Sequence, residues 1–224
     1  MINGWIMLNK PKGFTSNYCV NFIKKKFQIK KIGYAGTLDP LATGLLPLAI
    51  GESTKSIKYF ETLDKTYFFT SVWGKETTTL DDEGKIVKSS NVIPSKVDLQ
   101  KIIKKFIGNI QQKPPNYSAI KINGVRAYNL ARKGVEFEVK PKKISIYNIK
   151  VVNHNSSKNQ TSFLLKCSKG CYVRSLTRDI ARELGTFGYC KQIERRRVGI
   201  FSKNVSINLD YCVKMKKKED LKKF

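Results

Sequence analysis

The chain has 224 residues, with 43 Lys or Arg against 17 Asp or Glu, a formal charge of +26. With 41% apolar and 27% charged residues it can build its own core, which excludes a wholly disordered basic tail. No apolar run approaches the roughly 18–20 residues that cross a bilayer, and no basic segment precedes an apolar stretch at the N-terminus, so neither a membrane span nor a signal peptide is expected.

Residues 4–9 read as a short buried strand, broken by Lys10-Pro11-Lys12-Gly13. Ser16 is the expected cap of a helix with Cys19, Val20, Ile23 and Phe27 on its apolar face. Residues 28–44 are glycine-rich and read as loop. A buried strand over 45–50, a short helix over 53–63 and an aromatic, β-branched strand over 66–73 follow. Asp81-Asp82-Glu83-Gly84 is a turn. Ser95 caps a helix carrying Leu99, Ile102, Ile103 and Phe106, and Lys113-Pro114-Pro115 is extended. A short helix over 126–133 stops at Gly134. Residues 144–152 and 161–168 are neighbouring strands. Residues 173–184 form a helix with Leu176, Ile180, Ala181 and Leu184 inward, and 198–201 a closing strand. Helices and strands lack a regular βαβ beat, which predicts an α+β fold with a mixed, largely antiparallel sheet flanked by helices. Residues 1–207 are expected to form one domain and 208–224 a short, frayed basic tail.

Several mechanisms are excluded by residue type. The single His154 lies in a polar stretch that reads as a solvated loop, so no Ser-His-Asp triad can be assembled. The five cysteines are odd in number and lack a CxxC pair. No metal site is expected, and buried reduced thiols are. Neither a Walker A nor a GxGxxG pattern occurs, so no nucleotide cofactor is expected.

The positive charge recurs along the chain, at Lys24–Lys26, Lys104-Lys105, Lys142-Lys143 and Arg195–Arg197. A folded surface this basic repels itself unless a polyanion covers it. Nucleic acid is the leading partner through phosphate neutralisation, although a Lys-, Ile- and Asn-rich composition alone also raises the lysine count.

One acid stands out. Asp39 lies in Gly33-Tyr34-Ala35-Gly36-Thr37-Leu38-Asp39-Pro40-Leu41-Ala42-Thr43-Gly44, where glycines permit unusual backbone shapes and the following proline disfavours helix. By itself, Asp-Pro reads as an ordinary turn. The whole string, continuing to Pro47 and Gly51-Glu52-Ser53-Thr54-Lys55, resembles the signature loop of the TruB branch of the pseudouridine synthases. The stretch from Trp5 through Lys10-Pro11 to Ser16, the Lys65-Thr66-Tyr67 motif, Pro114-Pro115-Asn116-Tyr117-Ser118-Ala119, Gly170-Cys171-Tyr172-Val173-Arg174 and the ending from Ile193 to Gly199 are similar to further motifs of that branch, in the same order.

The resemblance implies the pseudouridine synthase fold in the cytoplasm, a monomer, tRNA bound through its T arm, and isomerisation of uridine 55 without cofactor. It implies that Asp39 is the catalytic carboxylate, that Arg174 pairs with it, that Tyr67 stacks on the target base and that Ile193 walls the uracil pocket. Lys10, Lys121, Arg132, Arg178 and Arg182 are candidate phosphate contacts. Tyr34 stands where the branch usually has His, so a weaker pH dependence is expected there, and Glu194 replaces a basic residue. The usual C-terminal RNA-binding domain is not expected in so short a chain, and general phosphate attraction would then compensate, with steep salt dependence. A tRNA-folding protein without catalysis, a structural RNA-binding protein, and a synthase of another RNA site are the rival readings.

Overall fold

The protein is described by a computed structural model over residues 2–215. The chain divides into two compact units. The first joins the N-terminal 68 residues to the chain from Ile193 onward, and the second is Phe69–Gln192.

The first unit opens with β1 (Gly4–Lys10), which buries Ile6, Met7 and Leu8. Helix α1 (Ser16–Lys26) follows, with Cys19, Val20 and Ile23 buried as their spacing predicts. Its cap is Thr15, not Ser16. Thr15 Oγ1 accepts a hydrogen bond from the Tyr18 amide at 3.0 Å, satisfying one of the amides that a helix start leaves open. A short strand, β2 (Ile32–Tyr34), occupies part of the stretch expected as loop and pairs antiparallel with β3 (Thr43–Ile50). β3 is buried along nearly its whole length and runs antiparallel to β1, from Gly4 opposite Ile50 to Lys10 opposite Gly44. A 3-10 turn (Gly51–Ser56) and α2 (Ile57–Thr62) replace the single helix expected over 53–63. β4 (Lys65–Trp73) then leads into the second unit.

There, β5 (Lys75–Thr77) and β6 (Ile86–Ser89) flank the Asp81 turn. Helix α3 (Lys96–Ile102) starts at Ser95 with a capping box closed by Asp98. β7 (Gly108–Gln112) precedes a two-residue hairpin, β8 (Lys121–Ile122) and β9 (Val125–Arg126), and the short helix α4 (Ala127–Arg132). The long β10 (Lys142–Asn155) pairs antiparallel with β7 and with β11 (Gln160–Cys167). Phe163 of β11 stacks on Phe69 with centroids 5.0 Å apart and meets the edge of Trp73, whose indole N–H donates to Thr161 Oγ1 at 2.8 Å. His154 lies on β10 opposite Thr161, its Nδ1 2.8 Å from that hydroxyl, so it belongs to a strand rather than to the solvated loop expected. Helix α5 (Val173–Glu183) follows.

β12 (Gly188–Val198) returns the chain to the first unit. Only its last residue had been expected in a strand. Lys191, Gln192, Glu194, Arg196 and Arg197 break the apolar alternation by which a strand is recognised. β12 pairs parallel with β3 and antiparallel with β13 (Phe201–Ser202). β14 (Ile207–Asn208) pairs parallel with β1, and α6 (Leu209–Lys214) buries Leu209 and Cys212. The tail expected from residue 208 is therefore folded as far as α6. Its lysine-rich remainder, 216–224, lies outside the described residues. Parallel pairs β1–β14 and β3–β12 among antiparallel ones give the expected class, a mixed, largely antiparallel sheet architecture with flanking helices. No helix among the described residues is long and apolar enough to cross a membrane.

Candidate active site

Asp39 sits on the connection from β2 to β3. Its carbonyl accepts from the Ala42 amide at 3.0 Å, closing a turn with Pro40 at the second position, where the fixed φ of proline fits. Leu38, Leu41 and Ala42 are buried, while Asp39 is half-buried. The residues on either side of Asp39 are held from the β1–α1 segment. Ser16 Oγ accepts from the Leu38 amide at 2.8 Å and donates to the Leu38 carbonyl at 3.0 Å. The Gly13 amide donates to the Pro40 carbonyl at 2.9 Å. Lys10 donates from Nζ to the carbonyls of Pro11, Phe14 and Pro40 at 2.9, 2.6 and 3.3 Å.

Lys10 is wholly inaccessible to solvent, so the expectation that it contacts substrate phosphate does not hold. Its ammonium is a staple between the Lys-Pro turn and the Asp39 loop. A buried charge is tolerated when carbonyl dipoles surround it.

The next layer of the loop comes from β12. Arg195, 1% exposed, donates from Nε to the Leu45 carbonyl at 2.7 Å and from Nη2 to the Gly36 carbonyl at 2.9 Å. The Tyr67 hydroxyl accepts a further bond from the same guanidinium. Burial pushes the guanidinium below its ordinary value, and the neighbouring Tyr67 oxygen opposes that shift. Gly44 is opposite Arg195 in the parallel register and has φ +100°. A Cβ there would stand 2.3 Å from the Arg195 carbonyl oxygen, so the two backbones approach as only glycine allows.

Tyr67 is half-buried at the start of β4, two residues after Lys65, whose Nζ donates to the carbonyls of Glu61 and Leu63, both at 2.6 Å, and so closes the end of α2. Ile193, 4% exposed, accepts at its carbonyl from Thr43 Oγ1 at 3.4 Å. Tyr34 ends β2 opposite Leu48 and is half-buried. The first unit thus holds Asp39, Tyr67, Ile193, Tyr34 and Lys10 of the six site residues expected from sequence. The sixth, Arg174, belongs to the second unit.

Arg174 is the second residue of α5. No side chain caps that helix through Tyr172. Instead Gln112 of β7 receives the Tyr172 amide at 2.8 Å and donates to the Tyr172 carbonyl at 3.2 Å. The guanidinium is 4% exposed. Nη1 donates to the Thr79 carbonyl at 2.7 Å and lies 3.3 Å from Asp81 Oδ2, and Nη2 donates to the Tyr117 carbonyl at 2.9 Å. The Pro-Pro-x-Tyr-Ser-Ala block therefore cradles Arg174 through its backbone. Arg178, also a candidate phosphate contact, is 7% exposed and donates to the Lys113 carbonyl and to Asp179, so that expectation fails as well. Lys121 and Arg132 remain exposed, and Arg182 keeps 55% of its side chain accessible.

Residues 24–173 match a family described as TruB family pseudouridylate synthase (N terminal domain). The chain belongs to the TruB family. The tRNA pseudouridine synthase B of Ehrlichia ruminantium (strain Gardel) is 47% identical over 207 residues, covering 92% of this chain and 70% of that protein. Its counterpart in Caulobacter sp. (strain K31) is 46% identical over 209 residues, covering 93% and 67%. Among solved structures, a chain of a Cbf5-Nop10-Gar1 complex superposes with a TM-score of 0.72 at 26% identity, over 93% of this chain and 54% of that one. A chain of an H/ACA RNP bound to a substrate RNA containing 2′-deoxyuridine superposes at 0.69 with 24% identity, over 92% and 51%, a likeness of fold alone. The chain spans about half the length of those two solved chains.

Two residues, one in each unit, that hold expected site residues of this TruB-family chain escape sequence reading. Asp81 looks like part of an acidic turn, and Arg195 like one member of a solvated basic run. The one available signal for Arg195 is its place inside the motif from Ile193 to Gly199. Among the described residues no group of three or more His, Cys, Asp and Glu side chains could hold a metal ion.

Proposed function

We propose that this chain isomerises uridine 55, in the T loop of tRNA, to pseudouridine, with Asp39 as the essential carboxylate. Family membership supports the reaction, and relatives named tRNA pseudouridine synthase B at 46–47% identity support the RNA. The N1–C1′ bond breaks, the uracil turns, and C5 joins C1′. C5 loses a proton and N1 gains one, so nothing is oxidised or reduced. Asp39 acts in its ionised form, as a carboxylate that engages the sugar or the base must. Tyr67 stacks on the uracil, Ile193 walls its pocket and Tyr34 supports the turned-out loop.

A uridine inside a folded loop has to be extruded before it can react. The charge of +26, with Lys121, Arg132 and Arg182 exposed, suits the backbone and shape contacts by which folded RNA is gripped. We place the protein in the cytoplasm as a monomer, with residues 1–207 as its catalytic domain. The observation that carries the reading is the Asp39 turn itself, pinned at Leu38 by Ser16 and at Pro40 by Gly13 and Lys10.

The test incubates wild type and Asp39→Asn with an unmodified tRNA transcript and maps pseudouridine by carbodiimide-stop primer extension. A stop at the T-loop uridine with wild type alone is expected, a loss of more than about ten-thousandfold in rate for the variant. A stop with both proteins removes Asp39 from the chemistry. A stop at another uridine reassigns the RNA site. No stop with either, despite tight tRNA binding, overturns catalysis in favour of an RNA-folding role.

A further inference from the structure

The Arg195 guanidinium is buried, carries charge, and has no part in the chemistry described so far. Burying a charge is costly unless its donors are satisfied. Here they meet two main-chain carbonyls and a phenol rather than a carboxylate. The identity of those acceptors matters. Gly36 and Leu45 bracket the segment that carries Asp39, and Tyr67 is the aromatic residue expected over the base. A planar fork with donors on several edges can hold three acceptors lying in different directions, whereas an ammonium is a point charge at the end of a flexible stem. The backbone of Arg195 is fixed too, by its parallel pairing opposite Gly44. One side chain on a central strand is thus tied to both ends of the Asp39 loop and to Tyr67.

We infer that Arg195 is a positioning residue that locks the Asp39 loop and the Tyr67 ring into one rigid arrangement, acting on the rate of isomerisation rather than on RNA binding. This rests on the reaction proposed above. A displacement of about 1 Å in such a site can cost about a hundredfold in rate, and such a displacement follows when the fork is replaced by an ammonium.

The experiment uses the full chain as wild type, Arg195→Lys, Tyr67→Phe and the double variant. Single-turnover pseudouridine formation, tRNA Kd by filter binding and thermal unfolding are measured for each. Arg195→Lys is expected to lose about a hundredfold in rate, with Kd within about twofold and a cooperative unfolding transition retained. Because Arg195 meets Tyr67 as well as the Asp39 loop, the double variant is expected to be slowed by less than the product of the two single losses. Unchanged rate in folded Arg195→Lys, rate losses that multiply in the double variant, or a Kd that rises in step with the rate loss would each overturn the inference.

Hydrogen exchange of free protein supplies a readout without RNA. Amides of 36–45 and 65–68 should exchange faster in Arg195→Lys, while those pairing β1 with β3 between residues 4 and 8 stay protected. If wild type makes no pseudouridine, the proposed reaction fails, and unchanged exchange at 36–45 would separately sink the positioning role. Should Arg195→Lys not fold, Tyr67→Phe decides by the same exchange measurement, with faster exchange at 36–45 expected and no change overturning the inference.

Discussion

Arg174 and Arg195, buried in different units, are held by different chemistry. Arg174 has the Asp81 carboxylate 3.3 Å from Nη1 beside the carbonyls of Thr79 and Tyr117. Arg195 is surrounded by the carbonyls of Leu45 and Gly36 and the Tyr67 hydroxyl. A carboxylate both orients a guanidinium and cancels much of its charge. Carbonyl dipoles orient it and leave the charge in place. In the first unit, Lys10 and Lys65 are also buried with their ammonium groups donating to main-chain oxygens. Each of these buried basic residues ties segments of backbone together, and the identity of its acceptors tells the two devices apart.

The sharpest way to break the comparison is Asp81→Ala. It removes the carboxylate beside a buried guanidinium and is expected to cost about 3–5 kcal/mol, read as a lower urea midpoint. Undiminished stability would show that Arg174, like Arg195, is held by carbonyls. Gly44→Ala attacks the other arginine through its backbone. With φ +100° and a Cβ 2.3 Å from the Arg195 carbonyl oxygen, it should cost about 1–3 kcal/mol and lower the isomerisation rate along with it. A rate loss without a stability loss would mean that the strand pairing survives and only the loop moves.

A paired test separates helix capping from loop positioning at adjacent residues. Thr15→Ala should cost about 1 kcal/mol and leave the rate of the folded protein unchanged. Ser16→Ala frees the Leu38 amide next to Asp39 and should slow the reaction by about tenfold. Equal effects on rate would contradict the assignment of Thr15 as cap.

The smallest effect concerns Glu194, which forms ion pairs with Arg196 at 2.8 Å and with Lys203. Burial pushes its carboxyl up, but the hydrogen bonds from Lys203 and Arg196 outweigh that and hold it below the ordinary 4.5. A carboxyl depressed in the folded state contributes stability above its unfolded value and loses it as the pH falls through the folded one. Glu194→Gln should therefore cost about 0.2–1 kcal/mol at pH 7 and nothing once acid has protonated the group. A pH-independent difference would assign the effect to packing.

The sequence was legible wherever the signal is local. The apolar spacing of Cys19, Val20 and Ile23, the Ser95 cap, and the glycine-framed Asp39 are each written within a few residues. It was illegible where burial is decided by distant chain. Gly188–Val198 reads as a basic run, yet β3 on one side and β13 on another make it a strand, and that pairing buries Arg195. Ser16 and Thr15 are equivalent as caps by composition. The approach of Leu38, 22 residues away, decides which hydroxyl is free to cap.

By itself, then, the sequence determined the class of fold, the order of motifs and the turn that carries Asp39, because each depends on neighbours in the chain. Tertiary structure alone decided which of many basic residues face solvent and which are sealed against carbonyls, because a side chain's solvation depends on strands and loops brought to it from far along the chain. Lys10, Arg178 and Arg195 all changed role for that reason.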